Sequence, residues 1–206
     1  MFDHVDVTGT GTASAVPDVV VLDARVNCDA ADVASALAKA TERVSAAFAA
    51  ATEAGIAAAD RQTTGMGVSS RWDHEGRGVI GYTAHQTMRL LVRDRDRVGD
   101  LISALAEATG DSFGLDGVRL EVAEKAPLLE RARAAAYEDA VRTATQYAGL
   151  AGRPLGQVVR VIEGGGGSGP APKMRAMAAM DSGGAMPVEA GESSVTVSVM
   201  VRFGLG

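Results

Sequence analysis

Alternation of apolar and polar positions with a period of two marks seven strands along this chain. The clearest lies at 193–203. There Val195, Val197, Val199, Val201 and Phe203 alternate with Ser194, Thr196, Ser198, Met200 and Arg202. A long strand at 79–93 puts Tyr82, Ala84, Gln86, Met88, Leu90 and Val92 on one face. Residues 18–28 form another, started by Pro17, with Val20, Leu22, Ala24, Val26 and Cys28 on one side. Residues 4–11 make a short strand ending in Gly9-Thr10-Gly11. Residues 62–70 make a weaker one, interrupted by Gly65 and Gly67. Val118, Leu120 and Val122 define a sixth, and the Val/Ile-rich run 157–163 a seventh. One-sided alternation predicts a mainly antiparallel sheet with one covered face.

Three segments change to the helical period. In 31–54 the stripe is Val33, Leu37, Ala40, Val44, Phe48 and Ala51, with Asp29 and Asp32 as possible N-caps and Gly55 as the stop. In 95–109 it is Val98, Leu101, Ile102, Leu105 and Ala108, ending at Gly110. In 126–148 it is Leu129, Ala132, Ala136, Ala140, Ala144 and Ala148, with Pro127 in the first turn and Gly149 after the end. An alanine stripe lets that helix lie close to a sheet or another helix.

The resulting order is β-β-α-β-β-α-β-α-β-loop-β, an α+β fold with three helices rather than a βαβ series. The two leading β-β-α units read as pseudo-equivalent. The chain of 206 residues suffices for one large domain or two small lobes. It reads as a single domain over 1–206, carrying a flexible Gly/Pro/Met-rich insertion at 164–191 between two strands.

Charge and composition narrow the function classes. The formal net charge of −6 opposes binding to phosphate backbones and anionic lipid, so no nucleic-acid partner is expected. The densest basic run, Arg93, Arg95 and Arg97, alternates with Asp94 and Asp96 and reads as a self-neutralised turn. No stretch is apolar enough for membrane insertion. The single cysteine, Cys28, excludes an intrachain disulfide and reads as a small buried hydrophobe. The start, MFDHVDVTGTG, has no basic or apolar leader. That predicts a cytoplasmic protein, or a periplasmic or extracellular one if a leader has been removed.

Catalytic chemistry finds no anchor in the motifs. Gly9-Thr10-Gly11 looks like the opening of a dinucleotide fingerprint, but a strand follows it instead of a helix, so it reads as a strand bend. The Gly164–Gly169 run lacks a following Gly-Lys-Ser/Thr. His4, His74 and His85 form no metal-spaced pair. His74 sits in the polar turn Trp72–Gly78, and His85 on the strand face opposite Tyr82 and Ala84. No Gly-x-Ser-x-Gly elbow exists for a hydrolase triad. Catalytic residues and cofactors are therefore expected to be none. One speculative metal set remains: Met174, Met177 and Met180 recur every three residues, with Met186 following, and thioethers suit Cu(I). The competing reading packs these methionines against apolar surface.

Several segments in order resemble the SIMPL-domain family. They are Val7-Thr8-Gly9-Thr10-Gly11 with Pro17-Asp18, Gly55-Ile56 with Asp60-Arg61-Gln62-Thr63, and Gly81-Tyr82-Thr83-Ala84 leading to Leu91-Val92-Arg93-Asp94. Ala132-Arg133, Ala136 and Asp139-Ala140 follow, then Leu155-Gly156-Gln157-Val158 and Gly191-Glu192. The resemblance implies an α+β fold without an established enzyme activity. Its bacterial members, linked to oxidative-stress defence and including periplasmic immunogenic proteins, are often exported and can self-assemble. It carries no catalytic residue set. Together these readings predict a non-enzymatic homo-oligomer serving stress tolerance or envelope maintenance. The alternatives are a soft-metal or hydrophobic-ligand binder through the Met-rich segment, and an enzyme using polar residues around Trp72–Arg77 and His85. Within the fold, Asp60 and Gln62 are expected to bond turn backbone, and Gly81, beside Tyr82, to relieve crowding in the sheet.

Overall fold

A computed structural model of the chain describes residues 3–73, 75–76, 78–164 and 192–206. Its strands are β1 (His4–Ala15), β2 (Val19–Ala30), β3 (Arg61–Trp72), β4 (Val79–Val92), β5 (Phe113–Glu121), β6 (Leu155–Glu163) and β7 (Ser193–Leu205). Its helices are α1 (Val33–Glu53), α2 (Val98–Thr109) and α3 (Ala126–Leu150). Class and element order are those the pattern predicts. The strands divide between two antiparallel sheets, one in each of two compact units. One unit holds β2, α1, β3, β4, α2 and β5; the other holds β1, α3, β6 and β7. The leading β-β-α units are therefore not equivalent: β1 pairs with β7, while β2 pairs with β4 and β5 in the other sheet.

The first unit is a four-stranded sheet in the order β3-β4-β2-β5, with α1 packed on β2 and β4. Alternation puts Leu22, Ala24, Val26, Met88, Leu90 and Val92 on the covered face, where they meet Ala36, Ala40, Val44, Ala47 and Ala51 of α1 and Leu101 and Leu105 of α2. The α1 stripe is rotated from the expected one. Val33 and Leu37 are 40% and 47% exposed, and Ala36 and Ala47 take the buried positions. Four alanines and Val44 at helical spacing form a flat face, which lets the sheet's larger side chains fill the interface. Asp32 caps α1, its Oδ1 accepting the Ser35 N–H at 2.9 Å, and Gly55 stops it with a φ of +85°.

Strand β3 runs for 12 residues through both glycines, because a register shift between Thr63 and Gly65 absorbs the irregularity. Asp60 does not bond turn backbone as expected. It takes the Arg93 guanidinium through two bonds of 2.8 and 3.0 Å, tying the turn before β3 to the end of β4. Arg93 thereby leaves the Arg/Asp run that was read as self-neutralised. Gly81 has a φ of +155°, and a β-carbon there would stand 2.7 Å from the Ala30 carbonyl oxygen. The crowding it relieves is with the neighbouring strand β2, within the sheet.

The second unit is a three-stranded sheet in the order β1-β7-β6. Val7, Val197, Val199, Val201 and Phe203 point from β1 and β7 onto Ala132, Ala136, Ala140 and Ala144 of α3. β1 does not bend at Gly9-Thr10-Gly11 but continues straight to Ala15. The glycines serve a close crossing instead. A β-carbon on Gly9 would stand 2.1 Å from the Ala136 carbonyl oxygen, and one on Gly11 2.2 Å from that of Ala132. No helix among the described residues is long and apolar enough to cross a membrane.

Candidate functional site

The residues singled out by sequence do not converge. Cys28 is buried on the covered face of β2, with its Sγ 3.6 Å from Ser112 Oγ. His85 lies on the opposite face of β4, in register with Asn27 on β2 and Gly67 on β3. Its ring leans over the edge strand, since a β-carbon on Gly67 would stand 2.7 Å from His85 Cε1. Glycine at that site accommodates the imidazole. His74, Arg77 and the methionine set Met174, Met177 and Met180 lie outside the described residues, as does 165–191 of the insertion. Among the described residues, no group of three or more His, Cys, Asp or Glu is placed to hold a metal ion.

Around His85 the outer face of the four-stranded sheet is a lattice of ion pairs. Asp23 on β2 accepts Arg89 Nε at 2.9 Å and also pairs with Arg119, which holds Glu121 at 2.8 Å. Burial pushes the Asp23 carboxyl up, but the two guanidinium partners outweigh it and hold the pKa below the ordinary value. The same hydrogen bonds, Asp23 first and then Glu121, raise Arg119. Arg25 meets Asp116 at 2.9 Å and Arg71 meets Asp29 at 2.8 Å. These pairings neutralise the face.

An open groove of about 560 Å³ runs between α1 and α2. Ala50, Ala54, Ala104 and Ala108 line it, with Glu53, Asp100, Glu107 and Arg97 among its polar groups. Nothing polar is buried in it, so it lacks the convergent groups that orient a bound molecule.

The two edges of the three-stranded sheet differ sharply. On β1 two of the backbone groups facing away from β7 are bonded to α3 side chains. Asp139 Oδ2 accepts the Thr10 N–H at 2.9 Å, and Arg131 Nη2 donates to the Ser14 carbonyl at 3.1 Å. Arg142 pairs with Asp139 and holds that carboxylate on the helix surface. On β6 the Arg133–Glu163 pair ties the strand to α3, at 3.0 and 3.1 Å. That pair depresses the Glu163 pKa and raises that of Arg133. Beside the exposed Gln157 and Arg160, β6 also presents aliphatic surface. Val159 is 66% exposed and Val161 52%, with Val158 and Ile162 also exposed. Met200 on β7 lies beside Ile162 and is half exposed.

This strip was visible in the sequence but read only as a strand. Val158-Val159 and Val161-Ile162 are adjacent apolar pairs, so they face both sides of the sheet. A run without alternation signals a strand covered on both faces. Here β6 packs on the α3 cluster through Leu155, and its later residues are exposed.

A family model described as SIMPL, protein of unknown function (DUF541), matches residues 5–203. The protein named uncharacterized protein YggE in Escherichia coli K12 is 30% identical over 195 residues, covering 92% of this chain and 76% of that protein. The 26 kDa periplasmic immunogenic protein of Brucella melitensis is 28% identical over 211 residues, covering 97% and 84%. The crystal structure of AtUAH in complex with (S)-hydroxyglycine overlaps 55% of this chain and 28% of that one, at 16% identity and a TM-score of 0.26, and no likeness of fold is drawn from it. With one family model spanning both sheets and a relative aligned over most of its own length, this chain belongs to the SIMPL family.

Proposed function

We propose that this chain is a non-enzymatic protein that works by associating with further copies of itself, in stress tolerance or envelope maintenance. One observation carries the reading: aliphatic side chains stand exposed along both faces of β6 and on neighbouring Met200. Contiguous apolar surface of this kind marks an interaction site in a soluble protein. Edge strands that stay alone are usually blunted by charge, and here Arg160 and Glu163 are the charged residues of the strand. The envelope setting is supported by the Brucella relative, which is named periplasmic. It favours the exported alternative for this chain.

Light scattering across a range of concentrations tests association. The expected result is a mass that rises from one chain to a defined multiple. A strict monomer at high concentration overturns the proposal.

A further inference from the structure

We infer that the groove between α1 and α2 docks a cationic amphipathic helix of a partner protein. This goes beyond self-association and does not rest on it. The floor of the groove decides what shape enters. Ala50 and Ala54 on α1 line it with Ala104 and Ala108 on α2, each pair one helical turn apart and half-buried. Methyl groups on both walls let a third backbone come as near as closely packed helices do. Both walls are helices and offer an entering chain no strand edge. The occupant must therefore satisfy its own backbone hydrogen bonds, as a helix does.

Charge decides which helix. Glu53 stands on the α1 wall, and Asp100 and Glu107 on the α2 wall, two turns or about 10 Å apart. All three are exposed and, among the described residues, none is paired with a cation. Elsewhere in the same unit the pattern is the reverse: Asp23, Asp29, Asp60 and Asp116 each hold an arginine. Arg97 also lines the groove, but it is turned to the C-terminal end of α1. A β-carbon on Gly55 would stand 3.1 Å from its Nη1. There the guanidinium meets the negative pole of α1 and leaves the three carboxylates uncompensated.

A helix with lysine or arginine on both flanks of an apolar stripe answers these features together. Its large apolar side chains fill the space above the alanines. Its flanking cations meet Glu53 on one side and Asp100 and Glu107 on the other.

Fluorescence anisotropy tests the inference, using the full chain with a labelled leucine/lysine amphipathic peptide and with its leucine/glutamate counterpart. The lysine peptide is expected to bind and the glutamate peptide to stay free. The set Glu53→Gln, Asp100→Gln and Glu107→Gln is expected to weaken the lysine peptide about tenfold at low salt. The same charge change placed in the other unit, by Glu130→Gln, Glu138→Gln and Glu192→Gln, is expected to leave its affinity unchanged. Ala104→Phe fills the groove without touching charge and is expected to abolish binding. If that variant fails to fold, the two glutamine sets decide between the groove and overall charge. Equal weakening by both sets, undiminished binding by a folded Ala104→Phe, or no binding of the lysine peptide overturns the inference. So does a folded Ala104→Phe that stays monomeric where wild type grows in mass, since the groove then belongs to a second copy.

Discussion

A β-carbon at Gly11 would stand 2.2 Å from the backbone nitrogen of Ala136, so β1 and α3 touch backbone to backbone. Ala136 is fully buried there, between Ala132 and Ala140. The contact tolerates no added volume from either side. Gly11→Ala must push β1 off the helix, and Ala136→Leu must push the helix off the sheet. Overpacking of this kind costs about 1–3 kcal/mol for the leucine variant. For Gly11→Ala the obstructing atoms are backbone, which cannot rotate away, so its loss is expected to be at least as large. Both are read from urea unfolding midpoints. An unchanged midpoint in either variant would show that the crossing is looser than these distances.

How much of this was legible beforehand depends on the range of the cause. The alanine stripe of α3 and the alternation of β7 are local periodicities, and both stand where the pattern put them. The role of Gly9 and Gly11 was not local. It depends on α3, more than 120 residues further on, and a glycine pair in a strand looks the same whether it bends or admits a helix. The split into two sheets was likewise invisible, since pairing β1 with β7 joins the two ends of the chain. In α1 the helical period puts the large Leu37 on the buried stripe, but the flat alanine face takes the sheet. At the candidate surface, the paired apolar residues of β6 could be read, but nothing in the periodicity said that the strand would lie at an edge.

Asp23 is the centre of the outer ion-pair lattice, and removing its charge is expected to have a small, salt-sensitive effect. Arg89 and Arg119 both bond to it, yet each guanidinium remains 40% or more exposed. Water screens what they lose. Asp23→Asn keeps the shape and is expected to cost about 1 kcal/mol or less at low salt, shrinking further at high salt. Denaturant midpoints of wild type and variant at two salt concentrations measure it. A loss that persists undiminished in high salt would mean that the network acts by packing and not by charge.

The cap of α1 should be readable as a pH dependence. The Ser35 backbone N–H, followed by the Ser35 hydroxyl, holds the Asp32 carboxyl below its ordinary pKa. A carboxyl whose folded pKa is depressed contributes stability that is fully present above its unfolded pKa of about 4. That contribution is lost as pH falls through the lower, folded value. Asp32→Ser retains a capping oxygen but does not titrate. Wild type and variant, melted at intervals from neutral pH to below pH 4, should therefore differ most at neutral pH and converge in acid. Parallel curves across the whole range would remove Asp32 from the acid response.

Cys28 reports on the opening of the four-stranded unit. It is 5% exposed, on the face of β2 that packs against α1, in the same cluster as Ala24, Val26 and Ala84. A thiol reagent can reach its sulfur only when that interface parts, because the neighbouring strands hydrogen-bond on both sides of β2. The labelling rate is therefore an opening rate or an opening equilibrium, according to whether reclosing is slower or faster than the chemistry. In the folded chain the rate should fall far below that of the urea-unfolded chain. It should rise in step with denaturant as the unit unfolds. Variants that loosen only the three-stranded unit, such as Ala136→Leu, separate two possibilities. If the units open independently, Cys28 labelling stays slow while the β1–α3 crossing is weakened. If they unfold as one, labelling accelerates by the same factor as global unfolding. Labelling as fast in native buffer as in urea would contradict the burial of the sulfur itself.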